Sequence, residues 1–310
     1  DGLEVLKFLF GNPAFADYMQ YMPKRTYTCR KKIKRLYTEI MTGNWAWNAQ
    51  SQLPVGSTLV PVIVGSDKTH LTNCSGAQAC HVAVMSCANI SKSIRTKASA
   101  HAFEPIAYIP LGDWIDEGAS GLLQSRCYHF CMDIVLSGIK KAARHGCQMV
   151  DPKGFIRKTY TPFASHIADR PEQHLITGIS HNSSPVSYAW ATEFGDSKPH
   201  PLRTGMDILE RIQKVNESVD PLNLSRYQQA ARAEQLLGVH EPFWRNWWLC
   251  SPDKIPSPWQ YLTPDPLHQW YRFIFDHVLQ WVRRLVGDDE LNFRFSILQR
   301  RVGFRHFANG

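Results

Sequence analysis

Residues 58–69 read Thr58-Leu-Val-Pro-Val-Ile-Val-Gly-Ser-Asp-Lys-Thr69, an apolar and largely β-branched run followed by a carboxylate, Asp67. A continuous apolar run of this length is typical of a strand that is covered on both faces, because a half-exposed strand alternates apolar and polar residues instead. The stretch therefore predicts a central strand of a sheet, with Asp67 at the end of its apolar part.

The patterns that follow this run predict the rest of the sheet. The expected elements are strands over 81–87 and 102–109, a helix over about 121–143 that Gly146 ends, strands near 148–150 and 156–160, and a strand-like stretch from 163 to a second carboxylate, Asp169. Three strands, a helix and then a strand that ends in a carboxylate is the element order of the ribonuclease-H-like fold. Other α/β folds share such an order.

We therefore expect an α/β fold with a ribonuclease-H-like core, a mixed sheet with flanking helices. The expected division is a helical N-terminal region over 1–55, the first part of the core over 56–180, a loop-rich and helical insertion over 181–262, and a C-terminal helical part of the core over 263–310. The insertion is indicated by clusters of Gly, Pro, Ser and Asn around 180–205. An amphipathic pattern over 263–286 predicts the last helix.

The composition excludes several classes of protein. The chain has 310 residues, of which 44% are hydrophobic and 20% charged, the balance of a globular protein rather than a disordered, collagen-like or coiled-coil chain. No stretch approaches the roughly 18 unbroken apolar residues of a membrane-spanning helix, so no membrane partner is expected. The formal net charge of +8 favours polyanionic partners, because a positive field attracts phosphates.

Much of the positive charge lies in one N-terminal segment. The basic residues are Lys24, Arg25, Arg30, Lys31, Lys32, Lys34 and Arg35. The apolar stripe of Ile33, Leu36, Ile40 and Met41 predicts that this segment is a helix with one exposed basic face. Two interpretations stay open, a solvated surface and contact with DNA phosphates.

The cysteine pattern and the chain ends give two further expectations. The eight cysteines form no CxxC pair and no framework typical of a secreted protein, so a reducing compartment is expected. The sequence opens at Asp1 without a leader pattern and stops at Gly310 after an apolar run. We expect from this that it is part of a longer protein.

Several short motifs occur in a fixed order along the chain. They are Thr42-Gly43-Asn44-Trp45 with Gln50, Ser66-Asp67-Lys68-Thr69-His70-Leu71 with Ser75-Gly76, Ala88-Asn89-Ile90-Ser91-Lys92-Ser93-Ile94-Arg95, Ile167-Ala168-Asp169-Arg170-Pro171-Glu172-Gln173, Thr263-Pro264-Asp265-Pro266-Leu267-His268-Gln269 and Gly303-Phe304-Arg305-His306-Phe307. Together they resemble the Plavaka transposases of fungal genomes, relatives of the CACTA (EnSpm) group. Each motif is weak alone, but their shared order over nearly the whole chain is hard to obtain by chance.

The resemblance implies a DDE-type transposase core that cleaves DNA and transfers strands with Mg²⁺ or Mn²⁺. It implies Asp67 and Asp169 as catalytic, metal-binding carboxylates, which suit a hard divalent cation. The implied partners are transposon ends and target DNA, the implied location is the nucleus, and a homo-oligomer stays open. The simpler interpretation of either residue is a turn or helix-capping aspartate.

Asp265 and His268 form a DxxH pair that the resemblance marks as accessory to the site. Related transposases carry a C/DxxH element between the second and third acids. Asp265 also suits the start of a helix, with Pro266 in its first turn. Asp265 can cap the helix and also take part in function, so both interpretations of the pair stay open.

The chain departs from the family pattern in two places. The family usually has a CPxC element after the second acid, whereas this chain has Ser184-Pro185-Val186-Ser187. Because zinc sites of this kind depend on thiolates, no zinc is expected at Ser184 and Ser187. The family's third acid lies in a "TGxE" segment that would follow Gly310, and an in-chain substitute such as Glu290 is more simply part of an acidic turn.

Three functions remain open on the sequence alone. The first is a metal-dependent DNA transposase core, degenerate or incomplete in this chain. The second is a domesticated, catalytically inactive DNA-binding protein. The third is a basic interaction module with no nucleic acid role, which the motif order disfavours.

Overall fold

The structure is a computed structural model that describes residues 1–70, 79–114, 117–252 and 254–299. It divides into two units, Asp1–Thr263 and a second unit that begins at Pro264. The motif residues Leu71, Ser75 and Gly76 and the tail motif of residues 303–307 lie outside the described residues. No helix in the described ranges is long and apolar enough to span a bilayer.

The chain combines helices with strands, which confirms the predicted α/β class. The strands are β1 (Thr26–Tyr27), β2 (Arg35–Leu36), β3 (Thr58–Leu59), β4 (Val62–His70), β5 (Ala79–Cys87), β6 (Glu104–Ile109), β7 (Cys147–Val150), β8 (Ile156–Tyr160), β9 (Phe163–Ala168) and β10 (Leu262–Pro264). The helices are α1 (Gly2–Gly11), α2 (Asn44–Ser51), α3 (Lys92–Arg95), α4 (Ser120–Val135), α5 (Ser137–His145), α6 (Arg170–Thr177), α7 (Gly205–Ser218), α8 (Leu224–Ala233), α9 (Pro258–Tyr261), α10 (Gln280–Val286) and α11 (Asp288–Ser296).

The central sheet is mixed and has the strand order β10-β9-β4-β5-β6. The strands β4, β5 and β6 run antiparallel in sequence, and β9 pairs with β4 in parallel. A second, three-stranded sheet has the order β3-β8-β7. The apolar run that predicted one strand thus forms two strands, β3 and β4, which belong to different sheets. Pro61 lies between them and lacks the N–H that a continuous strand would need.

Each face of the central sheet covers its own apolar core. Val62 and Val64 of β4 join the larger core with Leu6 of α1 and Met132 of α4. Ile63, between them, joins the smaller core on the opposite face with residues of α2 and β3. Because successive side chains of a strand point to opposite faces, a strand buried on both sides needs the continuous apolar run seen in the sequence.

The basic N-terminal segment is not the predicted helix. β1 and β2 form an antiparallel hairpin, in which Thr28 N–H donates to the carbonyl of Lys34 at 2.9 Å. Lys32 turns the chain with a φ of 55°. The helical prediction failed because Ile33 does not pack against a core, and its relative exposure is 78%.

The helix predicted over 121–143 is interrupted at Leu136 and forms α4 and α5. The interruption lies where α1 crosses closely, since a Cβ added to Gly138 would be 3.0 Å from Leu3 Cβ. The predicted end at Gly146 is confirmed, and its φ of 73° suits glycine. The last helix predicted over 263–286 begins instead as two π-helical segments, Leu267–Tyr271 and Ile274–Leu279, before α10.

His129 of α4 generates a prediction about acid stability. Its Nε2 lies 2.8 Å from the carbonyl of Leu175, and its Nδ1 accepts the N–H of Phe243 at 3.1 Å, so the buried ring is held neutral. Burial lowers the pKa of His129 to about 4 from its ordinary 6.5. Between these values the unfolded chain binds the extra proton, so stability is fully present above pH 6.5 and is lost as the pH falls toward 4.

We expect protonation of residue 129 in the unfolded chain to lower the free energy of unfolding by about 2 kcal/mol between pH 7 and pH 5. Urea unfolding of wild type and His129→Gln at both pH values measures it, and His145→Gln at an exposed position is the matched control. The pH-dependent loss should shrink in His129→Gln and stay unchanged in His145→Gln. An equal loss in all three chains contradicts the assignment.

Candidate active site

Asp67 lies on β4, and Asp169 directly follows β9, the parallel neighbour of β4. The last register pair between β4 and β9 is Gly65 with Ile167, and each aspartate follows two residues later. Because side chains repeat every two residues along a strand, Asp67 belongs to the face of Gly65, and the same alternation continued past β9 predicts that face for Asp169. A Cβ added to Gly65 would be 4.0 Å from Ile167 Cβ, and Asp169 keeps an extended backbone with φ −71° and ψ 173°.

Within the described residues, each carboxylate accepts one hydrogen bond from a nearby residue. Asp67 is exposed, and its Oδ2 accepts from Thr69 Oγ1 at 3.1 Å. Asp169 caps α6, and its Oδ1 accepts the N–H of Glu172 at 2.9 Å, with Pro171 in the first turn. The capping interpretation of Asp169 is therefore correct, but it occupies only one carboxylate oxygen.

The pair fits a hard divalent cation by its chemistry. Mg²⁺ and Mn²⁺ prefer carboxylate oxygens, and Asp67 Oδ1 and Asp169 Oδ2 accept no hydrogen bond within the described parts of the chain. Asp67 and Asp169 belong to no three-residue group of metal ligands among the described residues. The structure therefore brings two carboxylates to this edge and leaves the identity of a third open.

A different group of three side chains that could hold a metal ion lies in residues 193–200 of the first unit. The ligand atoms of Glu193, Asp196 and His200 are within 4.8 Å of one another. Local contacts account for this proximity: His200 Nε2 is 3.0 Å from Asp196 Oδ2, and Glu193 Oε2 accepts the N–H of Trp190 at 2.8 Å. The sequence prediction did not include these three residues.

A buried polar cluster lies behind Asp67, on the opposite face of β4. We call it the Ser66 network, and its members are Ser66, His81, Tyr128, His166 and Glu172. Ser66 Oγ donates to Glu172 Oε1 at 2.5 Å and lies 3.0 Å from both Tyr128 Oη and His166 Nε2. His81 Nε2 is 2.8 Å from the same Glu172 oxygen. All five side chains are buried.

One proton arrangement satisfies these contacts. Because the single hydroxyl proton of Ser66 goes to Glu172, Tyr128 O–H and His166 Nε2–H donate to Ser66 Oγ. His166 is then neutral, and its Nδ1 has no hydrogen-bond partner among the residues that the structure describes. This agrees with burial, which lowers the pKa of His166 to about 3. Burial, with Glu172 nearby, raises the pKa of Tyr128 well above 10.

The sequence analysis missed the Ser66 network although two of its members stood in quoted motifs. Ser66 precedes Asp67, and Glu172 follows Asp169 by three residues. The available signal was a hydroxyl inside an apolar strand and a glutamate in the first turn of a buried helix, two polar groups that need partners when they are buried.

The accessory pair lies in the second unit. Asp265 Oδ1 accepts the N–H of Leu267 at 2.8 Å at the start of the π-helical segment. The structure therefore agrees with the interpretation of Asp265 as a capping residue. The side chain of His268 lies outside the described residues, so a functional role for the pair stays a prediction.

The segment that replaces the family's CPxC element forms an irregular turn. Ser184 Oγ accepts the N–H of Val186 at 3.3 Å and of Ser187 at 3.1 Å. The Ser184 oxygen therefore serves the backbone of its own turn. The segment is half-buried rather than fully on the surface, and the expectation that it holds no zinc stays a prediction.

The basic hairpin presents its charges to solvent beside aromatic rings. Lys24, Arg25, Arg30, Lys31, Lys32 and Lys34 are exposed, and Arg35 is half-buried. The guanidinium of Arg25 lies 4.3 Å from the ring centroid of Trp47, and that of Arg35 lies 5.2 Å from Tyr37. Exposed cations on a hairpin are suited to phosphate contact as well as to solvation.

A cavity of about 550 Å³ opens at the other end of β9. Trp45 of the Thr42–Trp45 motif lines it with Phe163, Trp247 and Lys254. Phe163 is the first residue of β9, and Asp169 follows its last. The cavity and the two carboxylates are therefore separate features of the first unit.

The comparison with protein families agrees with the motifs. The sequence model of the Plavaka transposase family matches residues 1–282 and confirms the resemblance. No curated protein matches this chain.

The geometry of the two aspartates can be tested without a metal. Neighbouring strands place paired Cα atoms about 5 Å apart, a distance that a disulfide can bridge. We expect Asp67→Cys with Asp169→Cys to form a 67–169 disulfide under mild oxidation, identified by peptide mapping because the chain has native cysteines. Lys68→Cys with Asp169→Cys should not crosslink, since residue 68 points to the other face. Equal crosslinking of both pairs contradicts the shared face.

Proposed function

Because the chain belongs to the Plavaka transposase family, we propose that its first unit is the core of a DDE-type DNA transposase. The observation that carries the proposal is the parallel pairing of Gly65 with Ile167, each two residues before one of the aspartates Asp67 and Asp169. The sheet supports a ribonuclease-H-like core, since three antiparallel strands are followed by β9 parallel to the first of them. In that arrangement the first two acids of a DDE site meet at one sheet edge.

The proposed chemistry is cleavage and joining of phosphodiester bonds. Asp67, which is exposed, and Asp169, which is half-buried, would hold the divalent cation. When bound, Mg²⁺ or Mn²⁺ supplies an activated water or hydroxyl and stabilises the oxygen that leaves the phosphorus. The N–H of Glu172 keeps Asp169 oriented through the hydrogen bond to Oδ1.

The proposed partner is DNA, both transposon ends and target sites, and the proposed location is the nucleus. The net charge of +8 and the exposed basic hairpin support this part of the proposal. Aromatic rings beside the guanidinium groups of Arg25 and Arg35 limit the freedom of those side chains. Assembly as a homo-oligomer stays a prediction.

A second candidate function is DNA binding without cleavage. The described residues bring two carboxylates, rather than three, to the sheet edge, and Ser184 and Ser187 stand where the family has thiols. A two-metal reaction that lacks one ligand loses most of its rate. The two serines in place of the family's thiols favour a domesticated or degenerate copy. The family match disfavours the basic module with no nucleic acid role.

Cleavage separates the two candidates. For the transposase core we expect Mg²⁺- or Mn²⁺-dependent nicking of duplex DNA, which Asp67→Asn and Asp169→Asn each reduce at least 100-fold. Both variants should unfold at the wild-type denaturant concentration, because Asp67 is exposed and asparagine at position 169 can still cap α6. Metal-independent nicking, or nicking that survives both substitutions, contradicts the site. DNA binding with no nicking supports the second candidate.

The basic hairpin generates a prediction about salt dependence. Each phosphate contact contributes about −0.9 to the slope of log K against log salt. We expect Arg30→Gln, Lys31→Gln and Lys34→Gln together to reduce the steepness of that slope by about 3 in a fluorescence anisotropy titration. The control is Lys141→Gln, Lys153→Gln and Lys198→Gln, an equal charge change at exposed positions outside the hairpin. Equal effects of the two triples would show that only net charge matters.

A further inference from the structure

The Ser66 network connects five elements around the ends of β4 and β9, where Asp67 and Asp169 lie. Ser66 belongs to β4, His81 to β5, His166 to β9, Tyr128 to α4 and Glu172 to α6. Ser66 and Glu172 are 106 residues apart in sequence, and their hydrogen bond is the shortest of the group at 2.5 Å. The contacts therefore fix β4 and the first turn of α6 relative to each other.

Both ends of this hydrogen bond adjoin a candidate metal ligand. Ser66 directly precedes Asp67, so the strand backbone that carries one also orients the other. Glu172 holds Asp169 by its own N–H at 2.9 Å while its side chain binds Ser66 and His81. A shift of Glu172 would move the donor of Asp169, and a shift of Ser66 would move Asp67.

The network is costly if it serves stability alone. The Glu172 side chain is 10% exposed and that of His81 is 4% exposed, and the charged form of a carboxylate loses hydration when it is buried. Apolar side chains of similar volume often match or exceed the stability of such buried polar groups. The network lies directly behind Asp67, which is exposed, and beside the half-buried Asp169, and this position indicates a role in fixing their geometry.

We propose that Ser66, His81 and Glu172 are positioning residues that hold Asp67 and Asp169 at the spacing needed to share one divalent cation. The proposal rests on the proposed function, because it assumes that the two aspartates bind the metal. Its physical basis is that partners behind metal ligands fix the ligand orientation, and their loss lowers metal affinity by about 10- to 100-fold.

The test is Mn²⁺ binding by the full chain without DNA, measured by electron paramagnetic resonance of free Mn²⁺. We expect Ser66→Ala and Glu172→Ala each to raise the Mn²⁺ dissociation constant about 10-fold or more. Glu172→Gln keeps the shape and a hydrogen-bonding oxygen, so it should restore affinity to within about threefold of wild type. Urea unfolding at the same pH establishes that each variant is folded.

Ser86→Ala is the matched control for Ser66→Ala. Ser86 is also a fully buried serine of the central sheet, on β5, but its hydroxyl has no hydrogen-bond partner among the described residues. Ser86→Ala should leave Mn²⁺ affinity unchanged. Should Ser66→Ala not fold, His81→Gln, which alters only one contact of Glu172, provides the same readout.

The outcomes distinguish the positioning role from the proposed function. Asp67→Asn and Asp169→Asn must each bind Mn²⁺ more weakly than the wild-type chain does. If neither substitution changes the affinity, the metal site and this proposal are both wrong. Binding that depends on both aspartates but is unchanged in folded Ser66→Ala and Glu172→Ala overturns the positioning role alone. A loss of stability without a loss of affinity also overturns it, since that is the signature of a purely structural cluster.

Discussion

The parallel pairing of β4 with β9 is the constraint on which the candidate site depends. It joins segments about 100 residues apart and sets Gly65 beside Ile167. A change of register by one residue would send one aspartate to the opposite face, because side chains alternate along each strand. The apolar residues that fix this register are those of two separate cores, so the geometry of the edge is secured from both faces of the sheet.

The buried polar residues behind Asp67 fix the geometry of the site more precisely than the apolar cores do. Hydrophobic contacts are non-directional and tolerate small shifts, whereas hydrogen bonds to one hydroxyl define angles as well as distances. Ser66 receives two such bonds and donates one, and each partner comes from a different element. The same burial that orders this cluster keeps His166 neutral by lowering its pKa to about 3.

The motifs shared with the family divide into two physical roles. Gln50 binds the carbonyl of Ser57 and the N–H of Leu59, and Asn89 donates to the carbonyls of Gln20 and Leu59. These side chains satisfy backbone groups of β3 and of the loops beside it. Their hydrogen bonds hold β3 in place. Asp67 and Asp169 instead offer carboxylate oxygens to solvent. A constant motif order therefore reflects construction of the fold as much as chemistry.

The sequence by itself determined the main strands, the α/β class and the two edge carboxylates. A continuous apolar run requires burial on both faces, and Asp67 follows such a run, so local pattern was sufficient there. Asp169 follows a strand that contains Ser165 and His166, and the order of the motifs marked it. Only the tertiary structure decided that the basic segment is a hairpin, that α1 crosses at the break between α4 and α5, and that Glu172 meets Ser66. These features depend on contacts between residues distant in sequence, where packing and hydrogen-bond satisfaction override local periodicity.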